Sequence, residues 1–568
     1  MNHQPTKVPP EGSTDSSQHW RPVRQPSDTG DLCAQVHQRL PVLDPTEKAT
    51  TKERSERAMA WNRTLPVNRL PNELLVSIFA EVADALSAGH STFYIGRHHL
   101  RTKWMKLILV CRYWRDVAYA SPKLWRVIHM RSPAHTERAL ALSSPATIDV
   151  SFGYSRPNLE NIKLLQPHAH RLRSLNLNLD PACESAVIAL FQGDGGMPAL
   201  ETLQLPPYGR KAGMKDVEFV DLQLTAERYP RLGSLTLAFT VAPQDIKVYT
   251  RLRNLSLRDC RCDFSFHHFL DVLDAATNLE GLRVDSILQR IKGDWAGSLA
   301  TGRKPVCLRH LKSLELFHHP AVYTSRFLSH VLLSPIVSVW IVCDNDDALE
   351  EDVMETVAAM LPSDPAIVLP ALALAKGAVV VADGSNYSLS CSVEPHSPEE
   401  DLIKLEIGSS LIADWSGYLA HGVHDLLNVL PSAPLTTLSF TGDCDDVTAE
   451  TWTEIFTRYP LLDTLELVEA EFAETVFAGL MAATPPPDSP VPCPRLRSVS
   501  MVAPFFEEAI DVMLQCLRDR AGKGYYLEHV RISLQGQVYE DPLMETDYVP
   551  ELEELVSGVE WEMAALTD

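Results

Sequence analysis

The sequence predicts an α/β protein: a short all-helical block near the N-terminus, then an irregular solenoid of parallel strands with return helices. Three observations predict it. A Leu-x-x-Leu-x-Leu pattern recurs eleven times between residues 172 and 532, its successive first leucines mostly 20 to 34 residues apart. Segments of helical period, such as HFLDVLDAA, ETWTEIFTRY and FFEEAIDVMLQCLRDR, lie between the occurrences. Ahead of them all, residues 70–126 hold two apolar helix patterns punctuated by Pro and Trp.

At 568 residues and 45% hydrophobic, the chain falls among folded proteins with room for several domains or one repeat array. Its net charge of -23 is uneven: residues 1–131 hold 19 Lys and Arg against 12 Asp and Glu, and the remainder 32 against 62. An acidic majority argues against nucleic acid as the main partner, because phosphate binding needs clustered cations to release counterions. Residues 1–45 are polar and Pro-rich, with few large apolar groups, so 1–65 reads as a disordered or linker region, with a short charged helix over 46–62. No secretory signal pattern and no apolar run of 18 residues occurs. Eleven scattered cysteines in such a chain suggest reduced thiols, so the cytosol or nucleus is the expected location.

Residues 66–131 come next. Leu74, Ile78, Val82 and Leu86 recur every four residues with Leu75 and Phe79 alongside, which marks an amphipathic helix. Pro71 stands where a helix tolerates a missing amide, and Asn72 suits an N-cap. Leu107, Val110, Cys111, Trp114, Val117 and Ala118 repeat at three and four. A block this small cannot bury two such stripes on itself, so part of the apolar surface must meet a partner or the next domain. Nine cations and one acid lie between Arg97 and Arg131, a face read as solvated or complementary to an acidic protein. A nucleic-acid-binding element would use such a patch, but the helix bearing it is too apolar to lie free in a groove.

The ordered set Leu70, Pro71, Glu73, Leu74, Ile78, Phe79, then Val110, Cys111, Arg112, Trp114, Arg115, Ala118, Pro122, Leu124 and Trp125 resembles an F-box. The interval between its halves, residues 82–106, is longer than usual. The resemblance implies docking on the Skp-type adaptor of a cullin-RING ubiquitin ligase. Adaptor contacts are expected from Leu70, Pro71, Leu74, Ile78, Phe79, Val110, Cys111, Trp114, Pro122, Leu124 and Trp125.

Over 132–535 the hexapeptides resemble degenerate leucine-rich repeats, each burying its leucines only by stacking on its neighbours. Regular repeats place Asn or Cys three residues past the last strand apolar position, to satisfy backbone groups at the turn. Here Cys260 alone fits, with Asp180, Tyr208, Thr240, His319 and Asp443 elsewhere, which predicts irregular curvature. Residues 335–401 show one further strand, SPIVSVWIV, and then no clear repeat. Residues 536–568 hold ten acids and no Lys or Arg and read as an acidic C-terminal tail, with Trp561 able to dock it. An F-box with a long insertion ahead of degenerate repeats is similar to the expanded families of mushroom-forming fungi.

No catalytic motif survives inspection. GSLATGRK at 297–304 misses a phosphate loop at both defining positions. Cys260, Cys262, His267 and His268 lack the second ligand couple a structural zinc site uses. Neither cofactor nor metal is expected. The reading is a substrate-recognition subunit of an SCF-type ubiquitin ligase that is not itself an enzyme, with a non-catalytic scaffold whose F-box-like helices only cap the solenoid as the alternative.

Overall fold

The computed structural model describes residues 45–88, 103–130, 132–152, 159–193, 195–206, 219–292, 303–344, 356–383, 386–394, 402–408, 418–470, 472–482, 491–504, 507–535 and 543–564. The chain divides into two compact units, Met1–Ser87 with Thr102–Ala118, and Ala88–Arg101 with Tyr119–Asp568.

The first unit is helical. Helix α1 (Pro45–Thr64) takes up the charged run, α2 (Asn72–Ala88) the first apolar stripe, and α3 (Arg112–Tyr119) the second, after a 3-10 segment at Lys103–Leu109. Residues 1–44 of the expected linker, and 89–102 of the long interval, lie outside the described residues.

The second unit is built on one large, mostly parallel sheet flanked by helices. Its first strands are β1 (Val127–Met130), β2 (Ile148–Phe152), β3 (Leu172–Asn176), β4 (Thr202–Leu205), β5 (Ser234–Ala238), β6 (Asn254–Arg258) and β7 (Gly281–Asp285). Two short strands, β8 (Val306–Cys307) and β10 (Val331–Leu332), pair apart from it, on either side of β9 (Ser313–Phe317) in sequence. Then follow β11 (Ser338–Asp344), β12 (Gly377–Ala382), β13 (Asn386–Ser392), β14 (Ile403–Gly408), β15 (Thr437–Thr441), β16 (Thr464–Val468), β17 (Ser498–Pro504), β18 (Leu527–Gln535) and β19 (Val556–Ala564).

Every Leu-x-x-Leu-x-Leu hexapeptide contains or adjoins a strand, because its last two apolar positions are two apart and strand side chains alternate. Strand registers set Leu175, Leu203, Leu235, Leu255, Leu282, Leu314, Val339 and Ile403 side by side. None of these is more than 2% exposed, so the row forms the core that successive units share.

The turns after the strands repeat as well. Phe239, Asp259, Ser286, His318 and Glu469 take a left-handed backbone, each two residues past the last inward apolar position. The residue after each, Thr240, Cys260, Ile287, His319 or Ala470, is buried. The Cys260 thiol donates to the carbonyls of Leu237 (3.5 Å) and Arg258 (3.4 Å), and burial pushes its pKa up to about 11. His319 performs the same task, its Nε2 lying 3.2 Å from the Val284 carbonyl, so Cys260 is not alone in suiting the turn.

Burial lowers the pKa of His319 to about 3, against the opposing Val284 hydrogen bond and Asp285 carboxylate. A depressed folded-state value means His319 stabilises the fold above its ordinary 6.5, and that contribution is lost as pH falls toward 3. Urea midpoints of the wild type should therefore fall across that window. His319→Asn should flatten this part of the slope and cost about 1–2 kcal/mol at pH 7.

Strand order follows the sequence except at one place. β11 pairs in parallel with β14, not β12. β14 pairs antiparallel with β13 and β13 antiparallel with β12, and β12 then pairs in parallel with β15. The run 335–401 thus yields no regular repeat because the chain lays three strands in reverse order. Asp425, on the helix Tyr418–Val429, clamps the reversal: its Oδ2 accepts from the Tyr387 hydroxyl of β13 and from the Val357 amide, both at 2.6 Å. Gly422 permits the close approach, since a Cβ there would stand 2.6 Å from Val380 Cγ1.

Two further expectations change. The block over 66–131 is not all helical, because β1 pairs in parallel with β2 and opens the sheet. Residues 543–564 of the expected acidic tail form a helix (Leu543–Leu555) and strand β19, which pairs in parallel with β18. Leu552 and Val556 are buried there: apolar positions at inward spacing outweigh acids that need only face water.

Candidate functional site

An α-helix advances 100° per residue, so the six apolar positions of α2 cover too wide an arc for one buried face. The structure divides them. Leu75 and Phe79, four apart, are fully buried, whereas Leu74 and Ile78 are 51% and 44% exposed. Leu86 lies where side chains are not described.

Phe79 packs against the indole of Trp114 on α3, ring centroids 5.1 Å apart. Trp114 Nε1 donates to Asn68 Oδ1 at 2.6 Å, and Asn68 Nδ2 donates to the Asn62 carbonyl at the end of α1, also at 2.6 Å. One side-chain amide thus pins α1 and α3 to the turn before α2. The Tyr113 hydroxyl donates to Asn72 Oδ1 at 2.8 Å, so Asn72 is not the expected N-cap. The Pro71 carbonyl accepts from the amides of Leu74 and Leu75 and opens the helix instead.

This bracing leaves apolar surface in water. Leu109 and Val110 are 74% and 58% exposed, and Trp61, Val67 and Tyr113 are exposed as well. With Leu74 and Ile78 that makes seven of the seventeen exposed large apolar residues described in the chain, in a unit that supplies few of its residues. A concentration of this kind marks a protein-binding surface rather than a random scatter. Exposed Lys106, Arg112 and Arg115 add positive charge, while Arg97, Arg101 and Arg131 of the basic run lie outside the described residues.

The expected contact residues therefore fall into three classes. Leu74, Ile78, Val110 and Pro71 are presented to solvent, and Leu70, Cys111, Trp114 and Pro122 are half-buried. Phe79, Leu124 and Trp125 are buried and serve packing; Trp125 stacks on Tyr119 at 5.4 Å within the second unit. Leu109 and Asn68 were missed. Leu109 shares the run LILV with Val110 and shows no periodicity of its own, and the role of Asn68 depends on Trp114, 46 residues away.

Among the described residues, no group of three or more His, Cys, Asp or Glu is placed to hold a metal ion. No described helix is long and apolar enough to cross a membrane. The phosphate-loop near-miss at 297–304 lies largely outside the described residues.

Compared with known families, residues 67–131 match the F-box-like domain. No curated protein matches the chain. The chain thus carries an F-box-like domain, a module that generally binds Skp-type adaptors, joined to a large, mostly parallel α/β unit.

Proposed function

We propose that this chain is a substrate-recognition subunit of an SCF-type ubiquitin ligase, docking a Skp-type adaptor through its F-box-like domain and a target protein through an irregular leucine-rich-repeat array. The observation that carries the reading is the exposed apolar set Leu74, Ile78, Leu109 and Val110 on a block whose interior is already filled by Phe79 and Trp114. Such a chain performs no bond chemistry; it raises the effective concentration of a target beside the ubiquitin-transfer machinery. The cullin contact is made through the adaptor, in the cytosol or nucleus.

Because Leu74 and Ile78 already face water, truncating both leaves the fold intact. Leu74→Ala with Ile78→Ala should weaken co-purification of the adaptor with the full chain at least tenfold, with an unchanged circular dichroism spectrum. Retention at wild-type level would refute adaptor docking by this surface.

A second reading has one observation in its favour. Val127–Met130, inside the matched region, form the first strand of the sheet, as a solenoid cap would. A scaffold of that kind captures neither adaptor nor cullin.

A further inference from the structure

The solvent face of the large sheet carries one patch unlike the rest. Alternation sends Gln204, Thr236 and Ser256 to the face opposite the leucine row, and Ser439 and Ser500 further along. Between these stretches, β7, β9, β11 and β14 set Arg283, Glu315, Trp340 and Lys404 side by side.

Trp340 is 41% exposed, the one exposed aromatic side chain in the described strands. It stands edge-on to Phe317 at 5.0 Å, and Phe317 is buried beneath the Arg283 guanidinium, 4.4 Å above its ring. Lys404 Nζ lies 5.3 Å from the Trp340 ring. Arg283 is braced by Asp285 (3.3 Å) and Glu315 (3.1 Å), and Arg258 lies 3.4 Å from Asp285.

Sign and exposure are sorted. The side chains of Arg258, His318 and Lys404 are about two-fifths exposed, whereas the carboxylates of Asp259 and Asp285 are 1% exposed. Buried Asp285 holds Arg258 and His318, while the partly exposed Glu315 and Glu406 hold Arg283 and Lys404, so that water meets more of the positive ends than of the negative ones. Trp and Arg fixed this way are the residue types that dominate binding energy at protein interfaces.

We propose that this patch is the target-docking point: it receives an extended segment of a target protein in which an apolar side chain is flanked by carboxylates. The apolar side chain covers the Trp340 indole, and the carboxylates reach Arg258 on one side and Lys404 on the other. From β6 to β14 is four strand spacings, about 19 Å, which about six extended residues span. A phosphate polymer fits less well, because residues beyond 131 hold 62 acids against 32 bases and would repel dense negative charge. The assignment rests on the reading that the second unit recognises the target.

The test uses full-length protein and fluorescein-labelled short peptides carrying a central Leu or Phe with Glu on both sides, their Lys counterparts, and a short thymidine oligonucleotide. The Glu-flanked peptides are expected to bind in preference, with affinity falling as salt rises. Trp340→Ala should weaken them at least tenfold, and Lys404→Glu with Arg258→Glu should shift preference toward the Lys-flanked peptides, a reversal that misfolding does not produce. Preference for the Lys-flanked peptides or the oligonucleotide, binding of none, or indifference to Trp340→Ala would each overturn the proposal. Adaptor co-purification is measured in parallel: its loss in Leu74→Ala/Ile78→Ala and retention in Trp340→Ala separates a failure of the adaptor reading from a failure of this one.

Discussion

Asp425→Ala is expected to lower the stability of the second unit by about 3–5 kcal/mol, read from urea unfolding, because it leaves buried donors without their acceptor. Asp425 is 1% exposed and accepts from the Tyr387 hydroxyl and the Val357 amide at 2.6 Å. Those contacts join three segments distant in sequence at the place where strand order reverses. Tyr387→Phe removes one donor and keeps the backbone one, so it should cost only about 1–2 kcal/mol.

Burial raises the Asp425 pKa above its ordinary 3.8, outweighing the hydrogen bonds from Tyr387 and the Val357 backbone that favour the anion. A raised folded-state value gives stability that is complete below 3.8 and lost as pH rises through the folded value. That decline with rising pH should vanish in Asp425→Ala, whereas the His319 contribution, which declines with falling pH, should persist.

Phe79→Ala should cost the first unit about 3–5 kcal/mol, since a fully buried ring packed on Trp114 leaves a cavity when truncated. Adaptor co-purification should disappear together with helical circular dichroism of that unit. Ile78→Ala, one residue away, should weaken adaptor binding with folding unchanged. Adjacent residues on α2 thereby separate packing from docking; equal loss of helicity in both variants would contradict this division.

Much of the large sheet was legible. A side-chain period of two fixes which residues of a hexapeptide face inward, and the buried row from Leu175 to Ile403 follows from that alone. β1, β2, β12, β13 and β19 escaped because their sequences lack the leucine spacing; GAVVVA has no leucine, and NYSLSCS buries five consecutive residues, Tyr387 to Cys391, with a single leucine among them. The candidate site was half legible. Periodicity identified the apolar positions of α2 but not that Leu75 and Phe79 turn inward while Leu74 and Ile78 face water, a choice made by Trp114 some 35 residues on.

The sequence by itself determined the helical block, the repeated inward leucines and the uneven charge, all properties of local spacing that hold whatever the neighbours are. The tertiary structure alone decided the reversed order β14, β13, β12, the docking of β19 and the gathering of Arg283, Glu315, Trp340 and Lys404 on one face. Backbone amides and carbonyls are the same in every strand, so a local pattern says that a segment will pair but not with which partner. That choice falls to long-range packing and to buried groups such as Asp425.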